Sequence, residues 1–324
     1  MVAKEEYMEK FVIKINDLSK ISLYTDIKSI IAKLLNDISS LTKTVPAEVE
    51  YCGEAHEISE NENYITILSF NKKIIDVNKE KNIANLFSPQ DNFFFPDFIY
   101  LLIGMFANDL QKKDYYFVQS SVVKYDDEHS IMLLGDPNAG KTTMAYSLMK
   151  NYGYSLISND NVLVHMSDGN LKTCCGTKSV QMRYGGIKLY FPEILPYVKL
   201  EEEDKNRNEW DVKLYIDEYL KNQGFHFSDD SIVTDIFNIT TFKNGDTFIR
   251  SRERIDEILL MYEHLTKQIR SSRYALTGFN FPLPSFENEK YLQNRYEISK
   301  QICESTNIYD ARGTVDTLTR RLKK

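Results

Sequence analysis

A glycine-rich loop between an apolar run and a helix-forming segment limits the folds open to this sequence more than any other feature does. The apolar run covers 131–134, and the pattern G-x-x-x-x-G-K-[ST] follows it, where x is any residue. The pattern consists of Gly135, Asp136, Pro137, Asn138, Ala139, Gly140, Lys141 and Thr142, and Thr143 comes next. Because a strand before this pattern and a helix after it are its phosphate-binding context, the sequence predicts a strand–loop–helix unit in an α/β fold.

Each residue type in the loop has a chemical reason. Glycines let the main chain curl so that its N–H groups face a phosphate, and the N-terminus of the helix adds partial positive charge. Lys141 is predicted to reach the β and γ phosphates of a nucleotide, and the Thr142 hydroxyl to ligate Mg²⁺. A chance loop in a sheet protein is the alternative, which the flanking strand and helix disfavour.

A second polar segment follows the helix of the loop directly. A strand-like run at 154–157 leads into Ser158-Asn159-Asp160-Asn161, and here the sequence resembles the HPr kinase/phosphorylase family and its relatives with a phosphoenolpyruvate carboxykinase-like fold. Two further stretches carry the resemblance, which extends from about 116 to 196: Phe117-Val118-Gln119-Ser120-Ser121 and Gln181-Met182-Arg183-Tyr184-Gly185-Gly186-Ile187.

The resemblance implies roles for individual residues. It implies an HPr kinase-like P-loop core in which Lys141 and Thr142 take the phosphate and metal positions and Asp160 takes the acidic position of the metal site. Arg183 matches the signature arginine. Three ionisable family residues are amides in this chain: Asn159 stands for the general base, Gln119 for a histidine and Gln181 for a glutamate. An amide can orient a hydroxyl but cannot accept a proton at neutral pH, so phosphorylase activity is not predicted.

These residues predict a kinase that transfers the γ-phosphoryl group of ATP, with GTP as the alternative nucleotide, to a hydroxyl in the presence of Mg²⁺. Lys141, Asn159, Asp160 and Arg183 are its predicted catalytic residues, and Thr142 and Asp160 its metal ligands. The resemblance implies that the acceptor is a Ser or Thr of a peptide or protein, or a small hydroxylated metabolite. A peptide ranks first because the resembled relatives include peptide-tailoring kinases. The resemblance also implies a homo-oligomer, although no feature of this sequence demonstrates one.

Several alternatives stay open. The chain can be a nucleotide-binding regulatory or interaction module in which the amide substitutions have removed turnover. Carboxykinase-like chemistry is weaker, because no His/Lys pair for a catalytic Mn²⁺ is recognisable near the loop. Among single residues, Asp160 can end a strand, Asn159 can occupy a turn, and Arg183 can form a surface ion pair. His165 is predicted to be an exposed hairpin residue.

Charge and composition exclude some partners. Forty Lys and Arg residues against 47 Asp and Glu give a net charge of −7, so the chain has no general attraction to nucleic acid or anionic lipid. The basic run 250–254 is interpreted as a solvated face at the start of a helix, with a clamp for an anionic substrate as the alternative. Four cysteines in 324 residues make no disulfide framework, and no segment is suited to membrane insertion, so a cytoplasmic location is expected.

Three regions are predicted along the chain: an α+β segment at 1–113, the nucleotide-binding core at 114–200 and a mainly helical region at 201–324. Apolar spacing indicates helices at 26–41, with Asp26 as the N-cap, and at 96–111, 142–150, 254–270 and 289–302. Strand-like runs are found at 11–15, 48–52, 64–70, 73–77, 115–125, 130–135, 154–165 and 171–183. The runs at 115–125 and 130–135 are predicted to pair as a hairpin.

Overall fold

The computed structural model describes residues 7–59, 62–271 and 275–324, and it has a mixed α/β fold. Its contacts group the chain into two compact units. The first unit contains Met1–Phe117 and Glu263–Arg295, and the second contains Val118–Tyr262 and Tyr296–Lys324. Both units are built from two separate pieces of sequence, so neither corresponds to one continuous segment of the predicted three-part division.

The first unit is an α+β structure. Its elements up to residue 110, in chain order, are β1 (Met8–Ile15), β2 (Ser19–Thr25), α1 (Lys28–Asn36), α2 (Ser39–Thr42), β3 (Glu48–Ala55), β4 (Tyr64–Ser69), β5 (Ile74–Asn78), β6 (Ile83–Ser88) and α3 (Phe95–Leu110). Among the described residues the strands form one sheet in the order β3-β1-β2-β4-β6-β5. The β2–β4 and β4–β6 pairs are parallel, and the other pairs are antiparallel.

The helix predicted at 26–41 is interrupted. Its first part, α1, ends at Asn36, and Asp37 has an extended φ of −145°. The carboxylate of Asp37 accepts hydrogen bonds from the hydroxyls of Ser39 and Ser40, a local arrangement that competes with helix continuation. Asp26 does not cap α1, contrary to the prediction, because its carboxylate accepts from the main-chain N–H of Ser69 at 2.7 Å and from the Ser69 hydroxyl.

The second unit contains the predicted phosphate loop. Its elements before residue 200, together with the strand that leads into it, are β7 (Tyr115–Gln119), β8 (Ser121–Lys124), β9 (His129–Leu134), α4 (Lys141–Tyr152), β10 (Ser155–Ser158), β11 (Asn161–Ser167), β12 (Asn170–Gly176), β13 (Gln181–Arg183) and α5 (Tyr184–Tyr190). The antiparallel β8–β9 pair confirms the predicted hairpin. The run predicted as one strand at 115–125 is divided at Ser120, whose N–H donates to the carbonyl oxygen of Asp160 at 2.7 Å.

The region after residue 200 is less helical than predicted. It contains β14 (Lys213–Tyr215), α6 (Asp217–Asn222), β15 (Ser231–Thr241), β16 (Phe248–Ser251), α7 (Arg254–Arg270), β17 (Ala275–Leu276), β18 (Phe281–Pro282), α8 (Leu292–Ser305), β19 (Asn307–Gly313) and α9 (Val315–Arg321). The 11-residue strand β15 runs parallel to β9 and also parallel to β19. The strand that carries the loop therefore depends on a segment about a hundred residues further along the chain, which local sequence patterns do not reveal.

The main sheet of the second unit has the order β10-β8-β9-β15-β12-β11-β7 among the described residues, and β19 joins β15 to β16. The helix α4 packs on one face of this sheet. Its buried residues Met144 and Leu148 belong to the same apolar cluster as Leu133, Phe237 and Ile239 of β9 and β15. This packing fixes the start of α4 at the end of β9, with the glycine-rich loop between them.

Candidate functional site

Two glycines give the loop its curled main chain. Gly135 has a φ of +142° and Gly140 a φ of +98°, values that side-chain-bearing residues rarely adopt. Space is restricted as well: a Cβ at Gly135 would lie 2.7 Å from the carbonyl oxygen of Ile239, and one at Gly140 would lie 2.7 Å from Thr241 Cγ2. The loop is thus pressed against β15, where the N–H of Thr241 donates to the carbonyl oxygen of Ala139 at 2.9 Å.

Lys141, the first residue of α4, turns back over the loop. Its Nζ donates to the carbonyl oxygens of Gly135 at 2.9 Å and of Asp136 at 3.0 Å. Thr142 and Thr143 lie in the first turn of α4, where both side chains are half-buried. The first N–H groups of a helix have no partner within the helix, and they attract anions. An ammonium, two hydroxyls and the N-terminus of a helix therefore meet at one loop.

The strand register brings Asn159 and Asp160 to the same edge of the sheet as the loop. β10 pairs with β8 and β8 pairs with β9, both antiparallel, so β10 runs in the direction of β9. Ser158 is opposite Val122, which is opposite Met132, so the two residues after β10 are level with the end of β9. Two strand spacings separate their main chains from the loop by about 10 Å.

Asp160 presents its carboxylate among amides. Its Oδ1 accepts from Gln119 Nε2 at 3.1 Å, and its Oδ2 accepts from Asn161 Nδ2 at 3.4 Å. The hydroxyl of Thr177 accepts from the N–H groups of Asp160 and Asn161, which fixes the main chain here. A carboxylate has about four acceptor positions, so these two hydrogen bonds leave capacity for a cation.

Asn159 is a buried residue whose side chain is only partly satisfied. It is 8% exposed, and its Nδ2 donates to the carbonyl oxygen of Ser179 at 3.2 Å. Its Oδ1 is buried and has no hydrogen-bond partner among the described residues. An unsatisfied buried acceptor costs free energy, which a hydroxyl donor from a ligand would recover. Asn159 also lies in the bend between β10 and β11, so the turn interpretation stays open beside a role in binding.

Arg183 connects β13 to the loop. Its Nε and Nη2 donate to Oδ1 of Asn138 at 3.0 and 2.6 Å, and its Nη1 donates to the carbonyl oxygen of Trp210. Nη1 also lies 4.0 Å from a carboxylate oxygen of Asp211. The guanidinium thus contacts the loop through Asn138 and forms a loose surface ion pair with Asp211.

Two aromatic residues near these groups escaped the sequence prediction. Tyr215 is opposite Gln181 in the β13–β14 pair. Burial and the negative charges of Asp217 and Asp160 raise the pKa of Tyr215, which links its ring electrostatically to the proposed metal residue. Trp210 packs on α5, where a Cβ at Gly185 would lie 2.8 Å from the indole. The sequence signal that could have revealed them is the presence of Trp210 and Tyr215 in the mostly polar run 201–215.

The prediction for His165 is confirmed for the hairpin but not for its exposure. His165 belongs to β11 opposite Lys172, and its side chain is half-buried, which lowers its pKa. The turn of this hairpin lies at Asp168 and Gly169, both of which have positive φ. The first four residues of β11 are buried and the last three, beginning with His165, are half-buried, so exposure increases along the strand toward the turn.

The part of the chain that the structure describes contains no preformed cluster of metal ligands. Among the described residues no group of three or more His, Cys, Asp or Glu side chains could hold an ion. Mg²⁺ commonly binds through one or two protein ligands together with the phosphates of a nucleotide. The free acceptor capacity of Asp160 and the Thr142 hydroxyl fit that second mode of binding. Among the described residues no helix combines the length and the apolar character that crossing a bilayer requires.

Comparisons with known proteins give a distant structural likeness and no match in sequence. Neither a family model nor a curated protein matches this chain. The chain is similar in structure to the Hpr(Ser) kinase/phosphatase from Coxiella burnetii, with 10% sequence identity and a TM-score of 0.31. The similarity covers 64% of this chain and 91% of that chain. At this level it assigns no residue, cofactor or reaction to the protein.

Proposed function

We propose that this protein is a kinase that binds Mg-ATP, with GTP as the alternative nucleotide, and transfers the γ-phosphoryl group to a hydroxyl. The observation that carries the proposal is the loop between β9 and α4. Its glycines have positive φ, its lysine lies over the loop, and a helix begins at its end. These are the parts with which a protein holds a polyphosphate.

The metal and the acceptor have separate residues in this proposal. Thr142 and Asp160 hold Mg²⁺ together with the phosphates, and the ion neutralises the charge that develops during transfer. The buried Oδ1 of Asn159 accepts a hydrogen bond from the acceptor hydroxyl and orients it. Asn159 cannot remove the proton, but phosphoryl transfer depends mainly on positioning and on charge neutralisation. Lys141 neutralises the transferred group, and Arg183 keeps the loop in place through Asn138.

The acceptor is proposed to be a Ser or Thr of a peptide or protein, in preference to a small metabolite, and the location to be the cytoplasm. One observation favours a second candidate, a nucleotide-binding regulatory module. Gln119 donates to the carboxylate of Asp160, where a titratable side chain would assist turnover. In that case nucleotide binding is retained and phosphoryl transfer is absent.

The two candidates give different results with purified protein, radiolabelled ATP, Mg²⁺ and a pool of Ser- and Thr-containing peptides. The kinase proposal predicts saturable ATP binding by calorimetry and phosphoryl transfer, both strongly reduced in Lys141→Ala. Asn159→Asp should leave transfer unchanged or increase it. ATP binding without Lys141-dependent transfer would favour the module, and no heat of binding at millimolar ATP or GTP would contradict both.

A further inference from the structure

A basic surface lies on the other side of the loop from Asp160. Beyond β15 the sheet continues to β19 and β16, where Thr240 is opposite Arg312 and Arg312 is opposite Phe248. Two positions back, Asp310 is opposite both Asn238 and Arg250. The intervening residues belong to the apolar cluster under α4, so these side chains lie on the opposite face of the sheet. We call Phe248, Arg250 and Arg312 the arginine face.

The arginines of this region are only partly neutralised. Arg252 donates to Oδ1 of Asp310 at 2.9 and 2.7 Å and is 21% exposed. Arg250 reaches the other oxygen of Asp310 at 3.4 Å but is 68% exposed. Arg312 is exposed, and no carboxylate of the described residues forms an ion pair with it. Arg250 and Arg252 thus share the carboxylate of Asp310, and Arg312 adds a third positive charge, in a chain whose net charge is −7.

The exposed phenyl ring of Phe248 contacts the guanidinium groups of Arg250 and Arg312. The Cζ atoms of Arg250 and Arg312 lie 5.8 and 6.0 Å from the ring centroid of Phe248, whose side chain is 40% exposed. Cation–π attraction limits the motion of both guanidinium groups and leaves their N–H donors free to bind. A planar guanidinium that is already oriented is well suited to a carboxylate, which it can bind through two hydrogen bonds.

We infer that the arginine face binds an acidic side chain of a polypeptide acceptor. This side chain lies a few residues away in sequence from the hydroxyl that is phosphorylated. This inference rests on the proposed kinase function and defines its substrate class. Thr241 contacts the loop, and β19 is two strand spacings from β9, which is about 10 Å. The acceptor hydroxyl lies between the loop and Asn159, and β10, which precedes Asn159, is four strand spacings, about 20 Å, from β19. An extended peptide covers about 10–20 Å in about three to six residues, so the acidic side chain lies about three to six positions from the acceptor Ser or Thr.

Other occupants are disfavoured by charge. The connection between β15 and β16 carries Lys243 and Asp246, which offset each other, so the surplus of positive charge is confined to the arginine face. Such a small patch on an acidic protein does not attract the repeated phosphates of a nucleic acid. The nucleotide itself is the remaining alternative occupant of the arginine face. The experiment distinguishes it from an acidic peptide by measuring the binding of each.

The test uses two fluorescein-labelled peptides with one central serine each. One peptide has glutamates at about three to six residues from the serine on both sides, and the other has glutamines there. Anisotropy is measured with Mg²⁺ and a non-hydrolysable ATP analogue. We expect about tenfold tighter binding of the glutamate peptide, a difference that high salt reduces. Arg250→Ala/Arg312→Ala should remove the difference, and Arg250→Lys/Arg312→Lys should retain part of it, because the charge remains.

A matched control removes two exposed arginines elsewhere. Arg207→Ala/Arg320→Ala changes the net charge by the same amount and should leave the peptide preference intact. Equal binding of both peptides, or a preference that survives Arg250→Ala/Arg312→Ala, would overturn the inference. So would equally tight binding of a single-stranded oligonucleotide, or a comparable loss of affinity for the ATP analogue in the alanine variant. Peptide binding is also measured without nucleotide. Absent ATP binding would then show that the kinase proposal has failed, while the preference for the glutamate peptide would still test the arginine face.

Discussion

At the scale of single residues, Gly140 is the most constrained position of the loop. A side chain there would face both an unfavourable φ of +98° and the side chain of Thr241. We expect Gly140→Ala to lower the free energy of unfolding by about 2–4 kcal/mol, as the sum of left-handed strain and overpacking. ATP affinity should fall with it, because the loop N–H groups would move. Urea unfolding and calorimetry measure the two effects.

Gly153 provides the control for that substitution. It ends α4 with a φ of +72°, and a Cβ there would meet nothing within 4 Å. Gly153→Ala should therefore cost only the backbone term of about 1–2 kcal/mol and leave ATP affinity unchanged. Equal losses in the two variants would show that contact with β15 does not constrain the loop.

The carboxylate of Asp310 predicts how the free energy of unfolding depends on pH. Burial raises the pKa of Asp310, but hydrogen bonds from Asn238 and Arg252 and the nearby arginine charges outweigh it and hold the pKa below that of a free aspartate side chain. A lowered pKa means that the ionised carboxylate stabilises the fold above about pH 4 and that this contribution disappears at lower pH. We expect Asp310→Asn to destabilise the protein by about 1–3 kcal/mol at pH 7. Urea unfolding should show this difference shrinking below about pH 4, and a constant difference would argue against the ion pairs.

Some of these residue environments follow from local sequence and others do not. The glycines, Lys141 and Thr142 are adjacent in sequence, so their common position was predictable from the pattern. The contact of Arg183 with Asn138 joins residues 45 positions apart, and the arginine face joins residues 62 positions apart. Such contacts depend on which strands pair, and a single sequence carries little information about that.

At the scale of elements, the link between β13 and the loop can be tested by a double-mutant cycle. Arg183→Ala removes two donors to the loop, and Asn138→Gly removes their acceptor while it keeps the positive φ of 70° at this position. We expect each variant to weaken ATP binding by about 3–10-fold and the double variant to be no worse than either one. Calorimetry with ATP measures this, and additive losses would mean that the two side chains act independently.

The accuracy of the element predictions followed the strength of the periodic signal. The helix predicted at 254–270 agrees with α7 at both ends, and the helix predicted at 96–111 agrees with α3 within a residue. Both have apolar residues at regular helical spacing. β15 was missed although Val233, Asp235 and Phe237 are buried on it, because an Asp in an inward position disguises the alternation. Asp235 is tolerated there since it forms an ion pair with Lys324 at 2.9 Å.

At the scale of the whole molecule, both compact units are discontinuous in sequence. The chain leaves the second unit after Tyr262 and returns at Tyr296, and both changes fall inside helices, α7 and α8. Domain boundaries predicted from sequence are sought in polar or glycine-rich linkers, and a helix interior has no such signal. This is why the predicted boundary at 200 has no counterpart in the two units.

The same organisation predicts that the segment 114–200 does not fold when it is expressed alone. It contains the loop and α4 but lacks β15, the parallel neighbour of β9, and with it the buried residues Phe237 and Ile239. Without that strand one side of β9 has no hydrogen-bond partner, and the apolar face of α4 loses part of its cover. We expect no cooperative thermal transition by circular dichroism and no ATP binding, whereas the full chain has both. A cooperative transition accompanied by nucleotide binding in the fragment would mean that the loop unit is autonomous, and the dependence of β9 on β15 would then have to be abandoned.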